Sequence, residues 1–414
     1  MRILHVTPSF QHPSMRGPSR HYHFLRELAR RHEITLVSLT RMPVTAEAMH
    51  EIGQYTENVL TFGTHAASLA HGPRRLGKLL GSRIHNELEM QRAVGAMKRA
   101  IHDLVRSTPF DVVFFHGKYL YPAIEDLHLP IVVDFCDATS MRIDTKMRYA
   151  PDWYRPFLWA RRQQVRELEN RLVRKTPHLA FISPRDRAAI LGSSGVAAVV
   201  PNGVDHGYWQ RSSSIQPADN TIIFTGVMDY APNDDAALYL LNEIVPFLRR
   251  AVPDLEVLIV GRDPSERLQS RARGIPGVTV TGFVDDMRPW LERAAVCVAP
   301  VRYASGMQNK VLEALAMRVP VVATPVVADG VRMDDMPAPL CSARDPLEFA
   351  ETTVRLLRNA DERSRLALEG RRFVEKHFSW RQSAATLEQM CFSAAGMETD
   401  FMQRRRDTGF KEVA

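Results

Sequence analysis

The chain has 414 residues, 45% hydrophobic and 24% charged, with 22 glycines and 26 prolines, which excludes low-complexity, collagenous and intrinsically disordered classes. At roughly 150 residues per domain it is too long for a single core, so two domains are expected. Its 54 Lys and Arg against 47 Asp and Glu leave a net charge of +7, which suits anionic substrates, nucleic acid or lipid headgroups without choosing among them. No apolar stretch approaches the roughly 20 residues that span a bilayer, and no secretory signal opens the chain. The four cysteines, Cys136, Cys297, Cys341 and Cys391, have neither disulfide nor zinc spacing. A protein of the reducing cytoplasm, with no metal, is expected.

In chain order, 1–7 reads as a buried strand, followed by a loop and then a helix over about 19–31. Strands follow at 33–39, 111–115, 131–134 and 178–183, with helical patterns at 86–106 and 156–174. The paired arginines at 161–162 and the basic run 171–175 fall in the second helical pattern and read as its solvated face. The apolar run 196–200 leads into the turn Pro201-Asn202-Gly203-Val204-Asp205, and the polar stretch 211–220 reads as a linker. The alternation then restarts. Strands are expected at 221–225, 255–260, 278–281, 296–299 and 319–323, with helices at 234–252 and 308–317. Helices at 346–359, 361–377 and 379–391 and a polar tail at 403–414 close the chain. The fold class is therefore α/β: two doubly wound Rossmann-like domains facing across a cleft, at 1–205 and 206–378, with 379–414 returning to the first.

The most informative segment is 302–324, which runs from a strand end through Ser305-Gly306-Met307 into a helix and back into a strand. The helix start, with Gln308 and Asn309, offers free amides to a phosphate. Lys310 and Glu313 share a helical face, so a cation for phosphate and a carboxylate for ribose hydroxyls stand side by side. A solvated i,i+3 ion pair is the alternative, but Glu313 lies in the apolar run Val311-Leu312-Glu313-Ala314-Leu315-Ala316, where an unpartnered carboxylate is expensive.

That segment, together with Pro201-Asn202-Gly203-Val204-Asp205, the stretch Phe224-Thr225-Gly226-Val227-Met228-Asp229-Tyr230-Ala231-Pro232-Asn233, and Val278-Thr279-Val280-Thr281-Gly282-Phe283-Val284-Asp285, resembles the family 4 glycosyltransferases of GT-B fold. Through Val133-Asp134-Phe135-Cys136-Asp137-Ala138-Thr139-Ser140 and Gln308-Asn309-Lys310-Val311-Leu312-Glu313-Ala314 it is most similar to the sugar transferases associated with bacterial exopolysaccharide and PEP-CTERM export loci. The resemblance implies a retaining, metal-independent transferase with a UDP- or GDP-sugar as co-substrate and a saccharide or polyprenyl-linked acceptor. The net positive charge suggests that the acceptor is presented at the anionic inner face of the membrane, and no nucleic-acid partner is expected.

Glu313 matches the second glutamate of the family's Glu-seven-residues-Glu motif, which grips the ribose. The first would fall at Ser305, a departure that leaves the donor sugar open. The family's Arg and Lys after the first strand of the second domain are also missing, since this chain has Gly226 to Asn233 there. Lys310, Arg302 and Arg262 are the candidates to neutralise the diphosphate. Gly226 and Met228 are read as donor contacts, although Met228 also suits packing, and Gly17 is read as the phosphate or acceptor loop or a plain turn glycine. His116 is read either as a histidine near the sugar or a solvated loop residue. Asp134 and Asp137 either orient the acceptor hydroxyl or serve in caps and salt bridges. A nucleotide-sugar epimerase is the enzymatic rival. A dinucleotide oxidoreductase is disfavoured because no G-x-G-x-x-G follows the first strand, and a basic nucleic-acid-binding protein because no recognition motif accompanies the charge.

Overall fold

The computed structural model describes residues 1–15, 20–64, 76–212, 217–333 and 336–397, and within 76–84 the backbone alone. Two parallel sheets organise the chain. The first holds β1 (Arg2–Thr7), β2 (Glu33–Thr40), β3 (Asn58–Gly63), β4 (Val112–His116), β5 (Ile131–Phe135), β6 (Leu179–Phe181) and β7 (Ala198–Val199), in the order β3-β2-β1-β4-β5-β6-β7. The second holds β8 (Ala218–Thr225), β9 (Glu256–Val260), β10 (Val278–Val280), β11 (Ala294–Ala299), β12 (Val321–Ala323) and β13 (Cys341–Ser342), in the order β10-β9-β8-β11-β12-β13.

Helices cover both faces of each sheet, which is why the central strands read as unbroken apolar runs rather than alternating ones. Val112, Val113, Phe114 and Phe115 are wholly buried, as are Val296, Val298 and Ala299. Strand order reverses between β1 and β4, and again between β8 and β11, and at such switch points the carboxyl ends of the strands open a crevice. The doubly wound two-domain arrangement expected from the alternation is the one observed.

The last helix, Trp380–Ala394, leaves the second domain and packs on the first. Trp380, Ala384, Leu387 and Cys391 join Ile3, Phe24 and Phe114 in one core. The Trp380 ring stacks on His23 at 4.3 Å, and Glu388 accepts from Arg31 Nη2 and pairs with His32 Nε2, each at 2.7 Å.

Three local differences from the sequence reading have physical causes. The helical pattern expected over 234–252 is interrupted by a π-helical turn, Leu240–Ile244, between Ala231–Tyr239 and Val245–Ala251. Pro246 has no N–H to continue the ladder, so the turn widens there. Residues 218–220, read as linker, extend the start of β8, where Ala218 pairs with Ala294 of β11. Strand β3 was not anticipated, since its residues are exposed at the ends and only half-buried between, as befits a sheet edge.

Candidate functional site

On the second domain's side of the crevice, Gly226 follows the end of β8, at a position where the neighbouring side chains leave no room for a Cβ. A Cβ there would lie 2.7 Å from Asn233 Nδ2 and 3.1 Å from Lys310 Nζ. Lys310 opens the helix Asn309–Ala316, is buried, donates from Nζ to Asn233 Oδ1, and rests 4.6 Å above the Phe224 ring. Burial lowers its pKa to about 8, against the opposing pull of Cys297 and Glu313. One turn on, Glu313 is half-buried and its carboxylate accepts no hydrogen bond among the described residues. Burial pushes its pKa up to about 7 while Lys310 pulls the other way. The helix carries no side-chain cap at Gln308, so its first amides remain for an external acceptor.

Arg262 follows β9, and its carbonyl accepts from Met228 N at 2.9 Å, which brings the ends of β8 and β9 together. Its Nη1 lies 3.6 Å from Asp263 Oδ2. Two readings of this wall are corrected. Arg302 is committed elsewhere: Nε donates to Asp235 Oδ2 at 2.9 Å and the guanidinium lies 4.8 Å from the rings of both Tyr149 and Tyr239. Met228 is 1% exposed and sits in the core, so it packs rather than contacts a ligand.

On the first domain's side, His116 ends β4 and Asp134 lies in β5, beside it in register. Asp134 is buried and held bidentately, accepting from Arg20 Nε at Oδ2 and from Nη2 at Oδ1, each at 2.8 Å. Arg20 also donates to Asn202 Oδ1 and the Val200 carbonyl. Although burial opposes it, this guanidinium keeps the Asp134 pKa below the ordinary carboxylate value. Asp134 is therefore the anchor of Arg20 and not an acceptor base. His116 Nδ1 faces the Asp134 carbonyl at 3.0 Å, and burial lowers its pKa.

Asp137 is likewise occupied. Lys118 Nζ donates to its Oδ1 at 2.9 Å, the Thr139 hydroxyl donates to it at 2.8 Å, and Arg142 Nη2 stands 3.7 Å away. Despite burial, Lys118 and Arg142 hold its pKa far below the ordinary value, so it stays anionic and is already paired. Glu169 closes the cluster from behind, 3.3 Å from Lys118 Nζ.

The Ser305-Gly306-Met307 loop joins the two walls. Ser305 Oγ donates to Asp137 Oδ2 at 3.0 Å, and Gly306 N donates to Asp186 Oδ1 at 2.9 Å. Arg185 Nη2 donates to the Gly306 carbonyl at 2.9 Å. Gly306 has φ 64°, and a Cβ on it would meet the Cys136 carbonyl at 2.8 Å, so both conformation and space demand glycine. Met307 is in the core, and Asn309 Oδ1 accepts from Asn202 Nδ2 at 2.7 Å. The Gly306 amide thus holds a protein carboxylate, Asp186, in this closed arrangement. Gly17 lies outside the described residues. Asn233, Lys118, Arg20 and Asp186 were missed by sequence reasoning; only Asp186 carried a local signal, as the third helical residue after the capping Ser183.

Three comparisons bear on this geometry. Residues 219–359 match the family described as glycosyl transferases group 1. The phosphatidyl-myo-inositol mannosyltransferase of Mycobacterium leprae is 30% identical over 206 residues, which are 48% of this chain and 53% of the relative. That of Propionibacterium freudenreichii is 27% identical over 203 residues, 48% of this chain and 51% of the relative. The match thus spans about half the length of these curated relatives. Among solved structures, sucrose-phosphate synthase from Thermosynechococcus elongatus superposes with TM-score 0.66 at 16% identity, covering 94% of this chain and 98% of that one. HepE of Anabaena, solved with UDP and glucose, superposes with TM-score 0.62 at 13% identity, covering 95% and 100%. The fold is GT-B.

Proposed function

We propose that this protein is a group 1 glycosyltransferase that moves a sugar from a nucleoside diphosphate sugar to an acceptor with retention of configuration. The observation that carries the proposal is Glu313, a half-buried carboxylate without a hydrogen-bond partner among the described residues, one turn from buried Lys310 at a crevice rim. Ribose hydroxyls supply the donors that such a carboxylate lacks, and a diphosphate supplies the anion that Lys310 lacks. Arg262 and the first amides of the Asn309–Ala316 helix add to the anion's surroundings. A leaving diphosphate gains charge in the transition state, so cations fixed beside it lower the barrier. With Asp134 and Asp137 both paired, the leaving phosphate itself is proposed to take the acceptor proton. The match of 219–359 to the family supports the same assignment for the second domain.

For the acceptor we favour a lipid-linked saccharide of bacterial exopolysaccharide assembly at the inner face of a membrane, a pathway that rests on the motif resemblance. Trp153, Phe157 and Trp159 are 74%, 67% and 57% exposed, with Arg155 among them and Arg161 and Arg162 just after in the sequence. Aromatic rings with arginines at a surface suit a lipid headgroup layer. Beside them a groove of about 710 Å³ is lined in part by Met90, Phe157 and Leu158. No helix among the described residues is long and apolar enough to cross a membrane.

The deciding experiment is thermal-shift binding across UDP-, GDP- and ADP-sugars, followed by nucleotide release with and without a lipid-linked acceptor. One nucleotide class should stabilise the protein, by about 2.7 kcal/mol at a hundredfold its Kd. Release of free nucleotide that does not depend on acceptor would overturn transfer in favour of the epimerase reading.

A further inference from the structure

Behind the crevice wall, four potential ligands converge from three separate parts of the chain. His21 comes from the helix Arg20–Leu28, His116 from the end of β4, and Asp134 and Cys136 from the end of β5. Cys136 Sγ lies 3.5 Å from His21 Nε2, 3.3 Å from His116 Nδ1 and 3.3 Å from Asp134 Oδ2. His21 Nε2 lies 3.3 Å from the same Asp134 oxygen. All the ligand atoms fall within 4.8 Å of one another. With bonds of about 2.0–2.1 Å to nitrogen and 2.3 Å to sulfur, the edges of a tetrahedron around zinc are about 3.3–3.6 Å. Four of the six separations match those edges, and the other two lie within 4.8 Å.

We propose that His21 Nε2, His116 Nδ1, Asp134 Oδ2 and Cys136 Sγ form a tetrahedral site for one zinc ion or a similar borderline divalent transition metal. The donor set of two imidazoles, one thiolate and one carboxylate suits such an ion better than calcium or magnesium, which prefer oxygen. On binding, Cys136 gives up its thiol proton to solvent, and His116 gives up the Nδ1–H that meets the Asp134 carbonyl at 3.0 Å and carries its proton on Nε2 instead. The supporting shell is in place. His5 Nε2 lies 3.1 Å from His21 Nδ1, which leaves His21 Nε2 as the ligand atom, and Phe114 stacks on His5 at 4.6 Å. Arg20 orients the Asp134 carboxylate from the other side.

The site is not the donor site. It lies on the first domain and includes Cys136, whose carbonyl, with the Asp137 carboxylate next to it, receives Gly306 and Ser305 of the second domain. A metal here fastens the helix Arg20–Leu28 to the ends of β4 and β5 and so stiffens the wall against which the loop closes. This goes beyond the transferase reading and is tested apart from it.

The experiment is cobalt(II) titration of tagless, metal-free protein. One ion per chain should bind, with the intense visible bands of tetrahedral cobalt and a sulfur-to-metal charge-transfer band. Cys136→Ser should abolish that charge-transfer band and weaken binding by at least the roughly 10- to 100-fold that even an outer-shell partner costs. Cys341→Ser should change neither. Should Cys136→Ser fail to fold, the anomalous peak from zinc-soaked crystals of the unaltered protein decides, and it should lie between the four named atoms. Absence of stoichiometric binding, a charge-transfer band that survives Cys136→Ser, or a peak elsewhere overturns the site. None of these readouts depends on sugar transfer.

Discussion

The two walls of the crevice treat their charges in opposite ways. On the first domain every charge singled out by the sequence is paired: Asp134 with Arg20, and Asp137 with Lys118, the hydroxyls of Thr139 and Ser305, and Arg142 nearby. On the second domain Lys310 is buried and Glu313 half-buried without charged partners in contact, and their pKa values of about 8 and about 7 have moved toward each other from opposite ends of the scale. A satisfied network rigidifies a wall, whereas buried charges left uncompensated raise the free energy of the empty site and lower it when a ligand supplies what is missing. On the proposed function, the first wall is scaffold and the second is the binding surface.

Stability measurements should separate the walls most strongly. Asp134→Ala leaves Arg20 as an uncompensated buried cation and should cost about 3–5 kcal/mol, read as a lowered Tm or chevron midpoint. Glu313→Gln removes a charge that burial already penalises, so its Tm should be unchanged or slightly raised. Equal losses in the two variants would break the comparison. Binding should invert the order. Glu313→Gln should weaken donor binding or kcat/KM by about 100-fold, from lost hydrogen bonds between a charged acceptor and ribose, each about 1.5–3 kcal/mol. Calorimetric titration with the donor nucleotide reads this directly, and an unchanged affinity would remove Glu313 from the ribose site.

How much of this was legible in the sequence follows from how the walls are built. Lys310 and Glu313 are three residues apart on one helix, so a periodicity argument brings them to the same face. The β/α alternation was legible for the same reason, because buried parallel strands write themselves as short apolar runs. The first wall is assembled over long separations. His21 and Cys136 are 115 residues apart, as are Arg20 and Asp134 within one residue, and no local pattern announces either pair. Cysteine spacing is likewise silent about the cluster of His21, His116, Asp134 and Cys136, which meets only in the folded sheet. The role of Ser305 was hidden likewise, since its partner Asp137 stands 168 residues before it.

The pH dependence of donor binding sharpens the contrast at a smaller scale. Between about pH 7, where Glu313 loses its proton, and about pH 8, where Lys310 loses its own, both groups carry the charge a nucleotide needs. Affinity should peak there and fall by up to about tenfold per pH unit on either side. The acid limb should vanish in Glu313→Gln and the basic limb in Lys310→Met, whereas Asp137, already anionic and paired, should contribute neither. The same groups set opposite slopes in the stability of the ligand-free protein. Glu313 binds its proton more tightly folded than unfolded, so its contribution falls as pH rises from 4.5 to about 7. Lys310 binds its proton less tightly folded, so its contribution rises with pH from about 8 to 10.5. Denaturant titrations across this range read both slopes.

Arg302 should give the smallest effect, and for that reason it is the sharper test of where the binding surface ends. It stands on the second domain, close in sequence to Ser305 and Lys310, and by charge alone it belongs with the diphosphate cations. Its guanidinium is nonetheless spent on Asp235 and on the faces of Tyr149 and Tyr239. A half-exposed pair of this kind contributes about 1 kcal/mol or less. Arg302→Gln should therefore lower Tm by a few degrees at most and leave the donor Kd within about threefold, in contrast to Lys310→Met. A large loss of donor affinity in Arg302→Gln would mean that the salt bridge to Asp235 opens when nucleotide arrives, and that the division between paired scaffold and waiting site runs through this wall as well as between the two.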